Sequence, residues 1–290
     1  MNYLLKHFAK RFLSSSAQIM LQSNAVTGLL FLVGIGVNSP TMLLGCILAI
    51  LSSLAFAKLF QYDSNCVNKG FYGFNAALVG IAVFSLLPLS FISIVLVLLG
   101  GAFSALLMHL MITKMPSTPA LTTPFILSTW TIVLIMDFAG LASPMQGSFT
   151  GSISPTLIDS LYGIFRGVGQ VMLQDSWLSG AVFCCALLFS SYKAAVWAIL
   201  GSLIGLLVAT TLGFSQEKAM MGLYGFNGGL VAIALVERYP NKYWLIMFAI
   251  LTSVLLTRAF ELVTIPALTA PFVITTWLTI GMITLMSDSD

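Results

Sequence analysis

Charge is what this 290-residue chain has least of: charged residues make up 7% of it, against about a quarter in soluble domains. A chain so poor in charge cannot cover a water-facing surface with polar groups, so an ordinary soluble fold is excluded. No run of lysine and arginine marks a nucleic-acid surface or a polybasic lipid patch, and the net charge of +3 is small for the length. The four cysteines, Cys46, Cys66, Cys184 and Cys185, lack metal-ligand or disulfide-framework spacing and are expected to fill space as small hydrophobes. No Ser/His/Asp set, HExxH element or carboxylate pair offers catalysis, and no cofactor or metal is expected.

What fills the chain instead is hydrophobic residues, at 59%. About twenty apolar residues cross a hydrocarbon core as a helix, and stretches of that length recur almost without pause. They are continuously apolar rather than alternating, which predicts an all-α integral membrane protein and not a β-barrel. Hydropathy places ten transmembrane helices at about 17–37, 41–60, 70–90, 91–113, 118–140, 169–190, 193–213, 222–236, 243–257 and 266–286. Residues 1–16, with Lys6, Lys10 and Arg11 among Leu4, Leu5, Phe8 and Phe12, read as an amphipathic interfacial segment. They are not read as a signal peptide, because Gln18, Gln22 and Asn24 interrupt what would be its apolar region.

The sequence also repeats itself. The stretch from Gly70 to Ala82, built on Tyr72-Gly73-Phe74-Asn75, returns from Gly222 to Ala234 around Tyr224-Gly225-Phe226-Asn227, with nine of thirteen positions identical at a shift of 152. Pro119 to Trp130 returns as Pro266 to Trp277, eight of twelve identical at a shift of 147. A weaker echo pairs Gln18-Ile19-Met20-Leu21-Gln22 with Gln170-Val171-Met172-Leu173-Gln174. The domains expected are a first five-helix repeat at 17–140, an external connection at 141–168 rich in Gly, Ser and Pro, and a second repeat at 169–290. Five spans is an odd number, so the second copy enters the membrane from the opposite side and the repeats are inverted. Basic residues agree: with a cytoplasmic N-terminus, nine (Lys6, Lys10, Arg11, Lys58, Lys69, Lys114, Lys193, Arg238, Lys242) lie inside and three (Arg166, Lys218, Arg258) outside. Both termini are then cytoplasmic.

Three duplicated elements carry chemistry. Pro124 and Pro271 remove helix donors and are expected to free the carbonyls near Ala120 and Ala267, with Pro119 and Pro266 adding a second break; broken or re-entrant helices are expected at these motifs. Thr122 and Thr269 set hydroxyls beside those breaks, and paired interruptions in both halves point to a midplane site. A single proline would more often be a kink healed by Ser/Thr back-bonding. Phe74 and Phe226 offer flat apolar faces for a two-fold constriction, while Asn75 and Asn227 could cap a half-helix. Gln18 and Gln170 supply uncharged amides, with interhelical hydrogen bonding as the plainer alternative.

A coupled transporter or proton relay normally buries ionisable groups. Asp137 has no counterpart in the second copy, Asp175 falls where the first has Ser23, and Glu261 follows Arg258 at ion-pair spacing. All three read as capping, interfacial or packing residues. His7 is interfacial, and His109, alone in its span, reads as packing. Phenyl faces, hydroxyls, amides and carbonyls suit a small, neutral, flat solute that hydrogen-bonds at several points.

At these residues the chain resembles the urea transporters, of the bacterial type. Thr118-Pro119-Ala120-Leu121-Thr122-Thr123-Pro124-Phe125 and Ile265-Pro266-Ala267-Leu268-Thr269-Ala270-Pro271-Phe272 look like that family's duplicated Leu-Pro-x-x-Thr-x-Pro-Phe signature, departing at Thr118 and Ile265. The resemblance implies passive, channel-like permeation of urea in a bacterial inner membrane, one pore per protomer of a homotrimer. It further implies that Thr122 and Thr269 give central hydroxyls and that Phe74 and Phe226 give slot walls. Leu78, Leu230, Leu21 and Leu173 would complete those walls, with Gln18 and Gln170 at the two mouths. Another small neutral solute such as ammonia, water or a short amide is the alternative. An ammonia channel would be expected to pair histidines in its pore and an aquaporin to show two Asn-Pro-Ala elements, and the chain has neither.

Overall fold

Serine caps start two equivalent helices of this chain. Ser39 and Ser191 each accept a hydrogen bond from the backbone three residues on, Met42 and Ala194, and start helices in equivalent places of the two repeats. The computed structural model describes residues 2–140 and 156–287, and among these it is all-helical. The chain divides into two compact units, Met1–Ser148 and Phe149–Asp290.

In the first unit the order is α1 (Asn2–Ala17), a 3₁₀ turn (Gln18–Met20), α2 (Ala25–Asn38), α3 (Pro40–Leu59), α4 (Ser64–Asn68), α5 (Gly73–Leu86), α6 (Phe91–Lys114) and α7 (Thr123–Phe138). The second unit has the same order: α8 (Leu157–Gly169), a 3₁₀ turn (Gln170–Met172), α9 (Trp177–Ser190), α10 (Tyr192–Thr211), α11 (Gln216–Met220), α12 (Phe226–Arg238), α13 (Tyr243–Leu262) and α14 (Ala270–Ser287). The three sequence echoes therefore mark a duplicated unit of seven helices and one 3₁₀ turn.

Two features differ from the hydropathy reading. Residues 157–168 were expected in the connection but form α8, the counterpart of α1, started by a capping box in which Thr156 and Asp159 satisfy each other's backbone. The rest of that connection, including Ser143, Pro144, Gly147, Ser148, Gly151, Ser152, Ser154 and Pro155, lies outside the described residues. The spans expected at 17–37 and 169–190 are also not single helices. Each is a pair bent at the 3₁₀ turn, by 73° between Lys6–Met20 and Ala25–Asn38 and by 75° between Leu157–Met172 and Trp177–Ser190.

Close backbone contact holds these bends. A Cβ on Gly28 in α2 would overlap the Leu13 carbonyl of α1, and one on Gly180 in α9 would overlap the Phe165 carbonyl of α8. Glycine is required at both places because backbone cannot move aside as a side chain can.

By length and composition α3, α6, α10 and α13 can each cross a membrane, and the two bent pairs bring the number to six. Their outward faces carry exposed Leu99 and Phe103 on α6, Val196 and Leu207 on α10, and Trp244 and Phe248 on α13, as lipid-facing helices require. The Tyr-Gly-Phe-Asn helices α5 and α12 are shorter, 14 and 13 residues, and rise about 20 Å against about 30 Å of hydrocarbon. They are also almost wholly buried, so each unit is built around one short helix packed against its long neighbours. Cys46 and Cys184 fill the interior as expected, whereas Cys66 is half-buried and Cys185 is exposed.

Candidate urea-recognition half-sites

The motif prolines start helices rather than kink them. Pro124 and Pro271 fall in the first turn of α7 and α14, where a missing N–H costs nothing. The Ala120 and Ala267 carbonyls, expected to be free, instead accept from Thr123 and Ala270 in a tight turn. The distortion sits one residue later, where Leu121 (φ 47°) and Leu268 (φ 44°) occupy the left-handed region that disfavours a branched side chain by about 1–2 kcal/mol.

Asn75 and Asn227 hold that distortion in place. The Asn75 Nδ2 donates to the Leu121 carbonyl at 3.1 Å, and its Oδ1 accepts from the Phe125 N–H at 3.1 Å. Asn227 does the same with Leu268 and Phe272, at 3.2 Å each, and adds a donor bond to Thr257 Oγ1 at 3.2 Å. Both asparagines are fully buried. They do cap a helix, as their motif suggested, but the helix is α7 or α14 and not their own. One carboxamide thereby ties the Tyr-Gly-Phe-Asn element to the Pro-Thr-Pro element.

The Gln elements form the bends. Leu21 (φ 60°) and Leu173 (φ 56°) are left-handed and close the 3₁₀ turns through N–H bonds to the Gln18 and Gln170 carbonyls at 2.9 and 3.0 Å. Gln22 and Gln174, which the sequence showed only as part of an echo, are buried and donate to the Met20 and Met172 carbonyls at 2.9 and 2.6 Å. They clamp the bend that presents Leu21 and Leu173.

In the first unit a cavity of about 430 Å³ collects much of this set. Gln18, Leu21, Phe71 and Phe74 line it together with Met108, Met115 and the segment Thr118–Leu121, and among the described residues no lining side chain is titratable. Gln18 and Leu21 are half-buried there. The Gln18 amide has no hydrogen-bond partner among the described residues, so it is available to a solute. Leu78 and Thr122, also expected at the site, are not in this lining and are buried, at 1% and 2% exposure. In the second unit Gln170, Phe226, Leu230 and Thr269 are buried and Leu173 is half-buried. The Gln170 Nε2 donates to the Met221 carbonyl at 3.2 Å.

A family model described as urea transporter matches residues 9–284. The chain belongs to the urea transporter family. It is 29% identical over 263 residues to urea transporter 1 of Mus musculus, covering 84% of this chain and 67% of the relative. Urea transporter 1 of Rattus norvegicus matches at 28% with the same coverage. That of Ovis aries matches at 28%, over 90% of this chain and 73% of its own length.

Sequence reading missed two features of this urea transporter. Among the described residues Ser128 and Thr129 of α7 and Thr275 and Thr276 of α14 are buried hydroxyls without hydrogen-bond partners, at positions equivalent under the 147-residue shift. His109 and Glu261 are also equivalent, under the 152-residue shift. Each meets the tyrosine of its own Tyr-Gly-Phe-Asn motif: Tyr72 Oη lies 3.4 Å from His109 Nδ1, and the Tyr224 hydroxyl donates to Glu261 at 2.6 Å. Tyr62 stacks on the His109 ring at 3.8 Å. Glu261 further pairs with Arg258, as its spacing suggested, and with Lys218, at 2.7 Å each. These are packing and anchoring roles. Glu261→Gln is therefore expected to keep urea flux within about twofold while lowering thermal stability slightly, since part-exposed pairs contribute on the order of 1 kcal/mol. Stopped-flow flux beside a melting curve checks this, and loss of flux at unchanged stability would place the carboxylate on the path.

Proposed function

We propose that this urea transporter passes urea passively through a narrow filter to which each repeat contributes one half-site. The observation that supports this most is the duplication of a whole geometry: an Asn-clasped Pro-Thr-Pro turn with a left-handed leucine inside it, and a glutamine turn closed by a second left-handed leucine. Gln18, Phe74 and Thr122 of the first repeat and Gln170, Phe226 and Thr269 of the second are the residues proposed to contact urea. Leu21, Leu78, Leu173 and Leu230 provide the apolar walls in that reading. Urea's amides cost several kcal/mol to desolvate in a bare apolar slot, so hydroxyls and carbonyls must replace water. Ser128, Thr129, Thr275 and Thr276 supply further hydroxyls on the same helices. Neutral acceptors keep binding weak enough for release, and a lining without charge gives an ion nothing to replace its hydration.

The same reading carries ten membrane-crossing or re-entrant segments in two inverted repeats, both termini cytoplasmic, in a bacterial inner membrane. The charge tally and the identical element order of the two units support it. One pore per protomer of a homotrimer rests on the family resemblance, and the mass of the detergent-solubilised assembly tests it. For the solute, competition in proteoliposomes by thiourea, acetamide and formamide is the test. Urea flux is expected to be the fastest and to be slowed most by the planar diamide thiourea. Acetamide or ammonia passing faster than urea would move the assignment to another neutral solute.

A further inference from the structure

The sequence shows no run of basic residues, yet the fold of the first unit brings Arg11, Lys58 and His7 to one cleft. A cleft of about 970 Å³ opens between α1, the last turns of α3 and the short helix α4. His7 and Arg11 of α1 and Lys58 of α3 line it, and among the described residues no carboxylate does. Asp63, between the lining residues Tyr62 and Ser64 in sequence, caps α4 by accepting from the Cys66 N–H at 2.9 Å. Arg11 is already fixed: its Nε donates to Asn68 Oδ1 at 2.6 Å, which leaves the two terminal nitrogens of a pre-oriented guanidinium for an anion. The floor is apolar and accessible, with Phe8 47% and Leu51 36% exposed.

We propose that this cleft binds the headgroup of an anionic phospholipid, its phosphate on Arg11 and Lys58 with the His7 ring beside them and an acyl chain along Phe8 and Leu51. The second repeat supplies an internal comparison. At the positions equivalent to His7, Arg11 and Lys58 it has Asp159, Gly163 and Thr210. The cationic set is therefore no requirement of the repeat's packing, since α8, α10 and α11 form without it. A free phosphate would use the cations alone. The adjoining exposed apolar strip is what commits the site to a lipid, and α1 already has the basic amphipathic character of an interfacial helix.

The test is native mass spectrometry of the full-length, delipidated protein offered equal amounts of phosphatidylglycerol and phosphatidylcholine. The wild-type chain is expected to retain phosphatidylglycerol about tenfold in preference, and the preference is expected to fall as salt rises. His7→Gln with Lys58→Gln is expected to bring it near parity, while Lys58→Arg keeps it. Both side chains are exposed, so the variants are expected to melt like the wild type without lipid. Should the double variant not fold, the salt titration of the wild-type protein and Lys58→Arg decide the matter. Equal retention of the two lipids by the wild type, or undiminished preference in the folded double variant, would overturn the proposal. So would displacement of phosphatidylglycerol by millimolar inorganic phosphate, which would make this a free-anion site.

Discussion

Replacing Asn227 with alanine is expected to cut urea flux below a tenth of wild type and to lower the melting temperature by roughly 10 °C. The side chain is fully buried and serves three partners: the Leu268 carbonyl, the Phe272 N–H and the Thr257 hydroxyl. Unsatisfied buried groups cost about 1–3 kcal/mol each, so the loss sums to several kcal/mol, at about 2–4 °C per kcal/mol for a chain of this order. The Leu268 backbone, left-handed at some cost of its own, loses the contact that holds it there. Asn75→Ala is expected to behave similarly through Leu121 and Phe125. Asn227→Asp keeps an acceptor for the Phe272 N–H but loses the donor to Leu268, and an intermediate phenotype is expected. Flux per folded molecule, measured in proteoliposomes with protein quantified, separates the two effects. Wild-type flux in both alanine variants would show that the clasp does not shape the path.

Thr122→Val and Thr269→Val test the hydroxyls themselves. Valine has nearly the shape of threonine, and both positions are buried at 2% exposure, so packing changes little while one polar group is lost. If each hydroxyl replaces part of urea's water at the narrowest point, losing about 1–1.5 kcal/mol of hydrogen bonding slows permeation about tenfold per site. Thr122→Ser and Thr269→Ser are expected to retain most of the flux. Unchanged flux in both valine variants and in their combination would remove these residues from the path.

Much of the candidate site could be picked out because duplication filters accident. Thr122, Phe74 and Gln18 stood out only because Thr269, Phe226 and Gln170 repeat them at fixed shifts. The all-helical class followed from unbroken apolar runs, and long helices such as α6 and α10 fall close to their expected bounds. What stayed hidden was backbone geometry imposed by tertiary contact. No propensity places leucine in a left-handed turn, yet Leu21, Leu121, Leu173 and Leu268 are all there. Buried Gln22 and Gln174 and the tight approach at Gly28 and Gly180 override local preference at the bends. Helix α8 was read as connection because the Gly-, Ser- and Pro-rich stretch before it was extended to 168; its buried Gly163, Gly167 and Gly169 add little apolar signal to mark it as a helix. The equivalence of His109 and Glu261 escaped notice because their chemistries differ and only their tyrosine partners match.

The most direct measurement is urea efflux from proteoliposomes containing the purified protein, driven by a urea gradient alone and repeated with proton and sodium gradients imposed in either direction. Passive permeation predicts flux well above that of protein-free liposomes, proportional to the urea gradient and insensitive to both ion gradients. Flux no greater than through bare lipid, or accumulation of urea against its gradient when protons or sodium flow, would contradict it.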